Sequence, residues 1–220
     1  MSLSCHKLLT DIYTFSSDED GSTPLVISVL ASLLERAMAR TQRIQVSSNS
    51  SLIAGFRSFD SQHGLEITVQ SFLERIFRHT RLSSSVFVVA YAYIDRLCQF
   101  HPGFRISCRN VHRLLITTVM VASKFVEDMN YKNSYFARVG GLRIREMNAL
   151  EVDFLFLMKF KLQVSIKVFE SYCSHLEREV AMGGGYQIER TLNKLMCGGE
   201  IASKSRCEEH ELKKRPSIVG

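Results

Sequence analysis

Apolar residues recur at helical spacing along most of the chain, and their phase divides it into segments. From Pro24 to about Arg43 the positions Val26, Leu30, Leu33, Leu34 and Ala37 share one face, with Thr23 placed as a cap and Pro24 suited to the first helical position. Behind Thr68, the residues Val69, Phe72, Leu73, Ile76 and Phe77 follow the i, i+3, i+4, i+7, i+8 template of an amphipathic helix. The same reading predicts helices from about Ser84 to Phe100, ended by His101-Pro102-Gly103, and from about Asn110 to Asp128. A short turn of helix at Ser134 to Val139 stops at Gly140 and Gly141, followed by helices from about Ile144 to Phe160 and from about Ser165 to Ala181. The segment from Asn110 to Asp128 is apolar on nearly every side, so it belongs at the centre of a bundle. The expected fold class is all-α.

Between these stripes the composition changes. Residues 1–23 end in SSDEDGST and are expected to form a disordered acidic arm; 24–44 form an N-terminal helix; 45–64, containing VSSNSSLIAGF, form a linker. The main unit is expected over 65–162, a C-terminal helix over 163–182, and a mostly disordered tail over 183–220. With 45% apolar and 23% charged residues in 220, the chain can bury a core without metals or cross-links. Six cysteines show no CxxC pair, which predicts reduced thiols in an intracellular compartment. A basic-then-apolar leader pattern is missing, and apolar runs fall short of the ~20 residues of a membrane helix, so the expectation is cytosol or nucleus, without a membrane partner. The net charge of +6 suits acidic partners, yet the basic residues are spread along the chain.

Catalytic chemistry has no visible home. The sequence lacks GxSxG, HExxH and a P-loop, and the pairs Cys108/His112 and His175/Glu179 lack the further ligands of a zinc site. The chain is therefore read as a protein without cofactor or metal, and not as an enzyme. One residue breaks the pattern: Glu151 falls in the middle of the arc of Ile144, Met147, Phe154, Leu155 and Met158. An unpaired buried carboxylate would cost several kcal/mol, so Glu151 either faces a partner or pairs with a cation. Lys124 is the natural cation, in a strip with Arg113, Thr117 and Asp128 that also carries Met120 and Val121, read as exposed. The competing reading gives Lys124 a solvated pair with Asp128 and leaves Glu151 in solvent.

Together, YAYIDR at 91–96, NVHRLLIT at 110–117 and VMVASKFVED at 119–128 resemble the second and third helices of a cyclin box. NSYFARVGG at 133–141, MNALEVDFLF at 147–156 and SYCSHLERE at 171–179 are similar to the plant U-type (P-type) cyclins, which resemble the yeast phosphate-pathway cyclins. The resemblance implies a five-helix cyclin box, with one flanking helix on each side, that binds and activates a cyclin-dependent kinase as a heterodimer. It implies that Lys124 and Glu151 meet the kinase beside its mobile C-helix, and that Val121, Phe125, Leu155, Phe160 and Leu162 form the apolar part of that contact. Many cell-cycle cyclins carry MRAIL where this chain reads LEITV at 65–69; Glu66 cannot pair with Asp95 as the arginine of that motif does. The rival class is a nucleic-acid-binding cyclin-fold protein of the transcription-factor type. The scatter of Arg75, Arg78, Arg81, Arg96, Arg105, Arg109 and Arg113 over different helical faces argues against it, and no nucleic-acid partner is expected.

Two outcomes are expected from this reading. Removal of residues 1–20 and of about 200–220 leaves a cooperatively melting protein, because both lack periodic apolar positions; aggregation of the shortened chain would show the boundaries to be wrong. Leu65→Ala and Glu66→Ala leave the Michaelis constant of a kinase complex for a docking-motif substrate unchanged, whereas a several-fold rise would reveal a working docking patch.

Overall fold

The computed structural model describes residues 23–45, 56–61, 66–128 and 131–181. The expected arm, except for Thr23, and the expected tail lie outside the described residues, as does Leu65. Those residues hold seven helices and no strand: α1 (Leu25–Gln45), α2 (Val69–Thr80), α3 (Ser84–Phe100), α4 (Val111–Val126), α5 (Asn133–Gly140), α6 (Ile144–Leu157) and α7 (Ile166–Ala181). None of the described helices is long and apolar enough to cross a membrane.

Helix α4 is the axis of the assembly. Val111, Leu114, Ile116, Val119, Met120 and Ala122 are all 0% exposed, so the helix needs neighbours on every side, and α2, α3, α5 and α6 supply them. Each Val, Leu, Ile or Met side chain among them contributes about 1.5–3 kcal/mol of burial. Helix α1 lies against α2 and α3, and α7 packs on α3 and α1.

The helix ends show how the chain is steered. At the start of α2, Thr68 Oγ1 accepts the Ser71 N–H at 3.1 Å, a cap worth about 1 kcal/mol. Helix α5 ends on Gly141 in the left-handed region (φ 69°), where the Gly141 N–H donates to Arg138 O at 3.3 Å and the Leu142 N–H to Ala137 O at 2.8 Å. Helix α6 ends the same way without a glycine. The Lys159 N–H reaches Phe156 O and the Phe160 N–H reaches Leu155 O, both at 2.9 Å, with φ of 51° and 56° at Lys159 and Phe160. The helix expected to run to Phe160 therefore stops at Leu157.

Side chains of α3, and the residue after it, hold that left-handed turn by its carbonyls. His101 Nε2 donates to Leu157 O at 2.9 Å, Tyr93 Oη to Leu162 O at 2.8 Å, and Arg96 Nη1 to Lys161 O at 2.5 Å and Gln163 O at 3.2 Å. Burial pushes the Tyr93 hydroxyl up to about 12, which keeps it a donor at any physiological pH.

Part of the expected 45–64 linker belongs to the packed structure. Phe56 and Phe59 are 3% and 0% exposed, and Phe56 stacks on Phe104 at 4.3 Å between ring centroids. Asp60 pairs with Arg109 at 3.0 Å, and Arg113 donates to Ser58 O at 2.7 Å, so residues 56–61 are tied to the start of α4.

Helix α7 is held by polar groups as well as by Tyr172, Cys173 and Leu176, which are buried. Arg36 of α1 pairs with Glu179, and Tyr172 Oη donates to Asp95 Oδ2 of α3 at 2.8 Å, which also accepts from Gln99 at 2.7 Å. Burial raises the Asp95 carboxyl to about 6, against the hydrogen bonds of Tyr172 and Gln99, which favour the anion. A folded-state value above the ordinary ~3.9 means that the native state binds the proton better. Its stability is full below about pH 4 and is lost as pH rises through the raised value. Asp95→Asn keeps an oxygen for both donors and removes that loss. Urea unfolding should show the variant gaining about 2 kcal/mol on the wild type between about pH 4 and pH 7. His112 and His175, whose pKa values burial lowers, destabilise on acidification equally in both proteins and cancel. A pH-independent difference would show that Asp95 is not desolvated.

Candidate functional site

Helix α4 surfaces in its last turn, where Lys124, Phe125 and Val126 are exposed after a run of buried residues. Lys124 Nζ donates to Glu151 Oε1 of α6 at 2.5 Å and to Asn133 Oδ1 at 2.6 Å. Asn133, the first residue of α5, returns its amide to Glu151 Oε2 at 2.7 Å and to Asn148 Oδ1 at 2.9 Å. The carboxylate that breaks the apolar stripe is thus paired with the expected lysine, and a third side chain closes the ring. Side-chain exposures of 34% for Lys124 and 19% for Glu151 leave both within reach of a partner.

Glu151 marks the border of two arcs on α6. Met147, Phe154 and Met158 are buried on one side of it, while Ile144, Asn148, Val152 and Phe156 are exposed on the other, an arc of about 120° at 100° per residue. The core stripe is therefore narrower than the wheel implies. Phe125, next to Lys124 in the chain, is 53% exposed, and on α6 and the turn after it Val152 is 50%, Phe156 67% and Phe160 61% exposed. Phe160 meets Phe156 edge to face at 5.3 Å, held out by the left-handed turn that follows α6. Leu155 and Leu162 are half-buried at the margin of this surface.

Three positions differ from expectation. Met120 is 0% exposed, Val121 3% and Thr117 0%, although all three were assigned to an exposed strip of α4. The strip is covered because α4 is enclosed by four other helices, and Thr117 satisfies its hydroxyl by donating to Arg113 O at 2.7 Å. Val121 thus lies behind the surface and not on it. Phe125, which a wheel assigns to the core, is at the surface because the helix ends one residue later.

Neither Cys/His nor His/Glu pair is arranged as a ligand set. His112 Nε2 donates to Ile67 O at 2.9 Å with its ring edge-on to Phe72, and Glu179 is engaged by Arg36. What the ring of Lys124, Glu151 and Asn133 offers is recognition: fixed donors and acceptors that a partner can desolvate.

A family model described as Cyclin matches residues 25–162, from α1 to the turn that follows α6. The chain belongs to the cyclin family. It is similar to Cyclin-U2-1 of Arabidopsis thaliana, with 58% identity over 208 residues covering 93% of this chain and 90% of the relative. Cyclin-P2-1 of Oryza sativa subsp. japonica is 53% identical over 206 residues, covering 91% and 94%. Cyclin-U1-1 of Arabidopsis thaliana is 40% identical over 170 residues, covering 76% and 79%. This cyclin is thus of the plant U/P type, and its matched span holds the whole ring of Lys124, Asn133 and Glu151. Asn133, Val152 and Phe156 were not expected at the site. For Val152 and Phe156 a signal existed, since they sit four apart on α6 with no polar alternation to explain them; for Asn133 there was none, because short Asn side chains at helix starts are ordinarily caps.

Proposed function

We propose that this cyclin binds and activates a cyclin-dependent kinase through the surface formed by the end of α4, the outer face of α6 and the turn after it. The observation that carries the reading is a preformed Lys124–Glu151 pair on helices that also expose Phe125, Val152 and Phe156, with Phe160 in the turn after α6, all at least half exposed. Exposed apolar side chains in this number at the end of α4 and on α6, with Phe156 and Phe160 in contact, support an interaction site. On this reading the cyclin supplies no chemistry. It selects the kinase form whose C-helix is rotated inward, so that the kinase's own Lys-Glu pair and metal site are assembled. An interface of about 2,000 Å² or more suits such an assembly. A role in cell division or in nutrient and growth signalling follows from the kinase engaged.

The free protein sets up a clean test. An exposed ion pair contributes at most about 1 kcal/mol to stability, and Asn133 remains as a partner for whichever member is left. Lys124→Ala and Glu151→Ala should therefore melt like the wild type. Toward the kinase, losing one member of a desolvated charge pair costs about 2–5 kcal/mol, a drop in affinity of roughly thirtyfold to several thousandfold. The partner is first captured from plant extract on the full chain and identified by mass spectrometry, then purified for calorimetry. Unaltered affinity with unaltered melting in both variants would sink the interface. A lowered melting temperature with unaltered affinity would make Glu151 a structural residue alone.

A further inference from the structure

We infer that Asn133 is a positioning residue of the kinase-binding surface, holding the Lys124 ammonium and the Glu151 carboxylate in one fixed geometry before any partner arrives. The inference rests on the kinase reading above and adds a residue that neither the sequence pattern nor the family resemblance assigns. Its basis is a closed hydrogen-bonded ring. Lys124 Nζ lies 2.5 Å from Glu151 Oε1 and 2.6 Å from Asn133 Oδ1, while Asn133 Nδ2 lies 2.7 Å from Glu151 Oε2, so each carboxylate oxygen has its own donor. A second donation from Asn133 Nδ2, to Asn148 Oδ1 at 2.9 Å, fixes the plane of the amide.

Three helices meet in this ring: Lys124 from the end of α4, Asn133 from the start of α5, and Glu151 with Asn148 from α6. Asn133 is in the first turn of α5, yet its side chain is turned to α4 and α6, and no side-chain cap bond is made by Lys132, the residue that precedes the helix. The side chain is thus spent on the two charged groups and not on the helix that carries it. An amide fits this place because it presents an acceptor to the cation and a donor to the anion at once. Lysine and glutamate otherwise lose rotamer freedom when a partner immobilises them, at a cost for each rotamer-rich side chain that a prior tether removes. One of the three ammonium protons and several carboxylate lone pairs stay free for the kinase.

The test uses the full chain and the purified kinase partner. Asn133→Ala should leave the melting temperature of the free protein within assay error and weaken kinase binding about tenfold, less than the loss caused by Lys124→Ala. Asn133→Asp gives a readout that a merely structural role does not move. Its carboxylate faces Glu151 Oε2 where an N–H donor stood, with Lys124 from α4 as the cation in contact with both and neutral Asn148 beside them. Two carboxylates at that distance share a proton as pH falls, which restores an O–H donor. Relative to wild type at the same pH, the Asn133→Asp variant should bind weakly at about pH 7.5 and recover severalfold toward about pH 5.5.

If Lys124→Ala leaves affinity unaltered, the kinase reading itself fails. Should Lys124→Ala abolish binding while Asn133→Ala does not weaken it and Asn133→Asp shows no recovery, the positioning role alone is overturned. A fall in melting temperature with unchanged affinity in Asn133→Ala overturns it as well, by making the amide a structural tether. Where both melting and affinity fall, the pH profile of Asn133→Asp decides between the two.

Discussion

The fold is organised around a helix that is apolar on nearly every side. Because α4 is apolar around most of its circumference, it is stable only when α2, α3, α5 and α6 enclose it, and the chain is arranged to do so. From Leu114 to Ser123 the enclosure is unbroken, and Ser123, 0% exposed, donates its hydroxyl proton to Met120 O at 2.8 Å. One residue later the helix emerges with Lys124 and Phe125, between the start of α5 and the outer face of α6. The candidate surface is therefore located by core packing: it begins where the axis of the bundle emerges beside α5 and α6.

Rigid support continues beyond that point. Phe160 is exposed in a left-handed backbone conformation that a bulky side chain adopts at a cost of order 1 kcal/mol or more. Such a turn persists when its surroundings over-determine it, and here Tyr93, Arg96 and His101 each hold a carbonyl within the stretch 157–163. The polar ring at Lys124 and the aromatic edge at Phe156 and Phe160 are thus both fixed before a partner binds. Preorganisation of this kind converts buried area into affinity, because less ordering remains to be done on association.

Much of the fold was legible because local and global signals agree. The α2 stripe and its Thr68 cap were readable from spacing alone, and Gly141 announced the end of α5 by being the residue that adopts φ 69° without strain. Lys159 gives no such announcement: it ends α6 in the same backbone conformation, imposed by tertiary hydrogen bonds from α3, and the periodic pattern therefore ran on to Phe160. Phe56 and Phe59 were hidden in a segment whose serines and glycine outweighed two aromatics, although an apolar pair three apart is what docks a short turn onto a core. Of the site, Glu151 was legible as a misplaced charge and Lys124 as its cation. The burial of Met120 and Val121 was not, since a wheel shows which residues share a face but not how many neighbours the helix has. Asn133 joins three helices distant in sequence, and that juxtaposition is visible only in the folded chain.

The replacement of MRAIL by LEITV also has a structural counterpart. With Glu66 exposed in that stretch, Asp95 has no arginine from it, and a half-buried carboxylate must be satisfied from elsewhere. Tyr172 of α7 and Gln99 of its own helix supply neutral donors to one oxygen, while burial raises the carboxyl to about 6. The stretch before α2 is thereby released from a structural duty that the docking arginine of other cyclins combines with substrate recognition. That duty passes to α7, which lies beyond the span matched to the family and is tied at its far end to α1 through Glu179 and Arg36. Helix α7 is thus an integral part of the packed unit: deleting it would leave Asp95 without its tyrosine and Arg36 without its acid, each a buried or half-buried group whose loss of a partner costs about 1–3 kcal/mol or more.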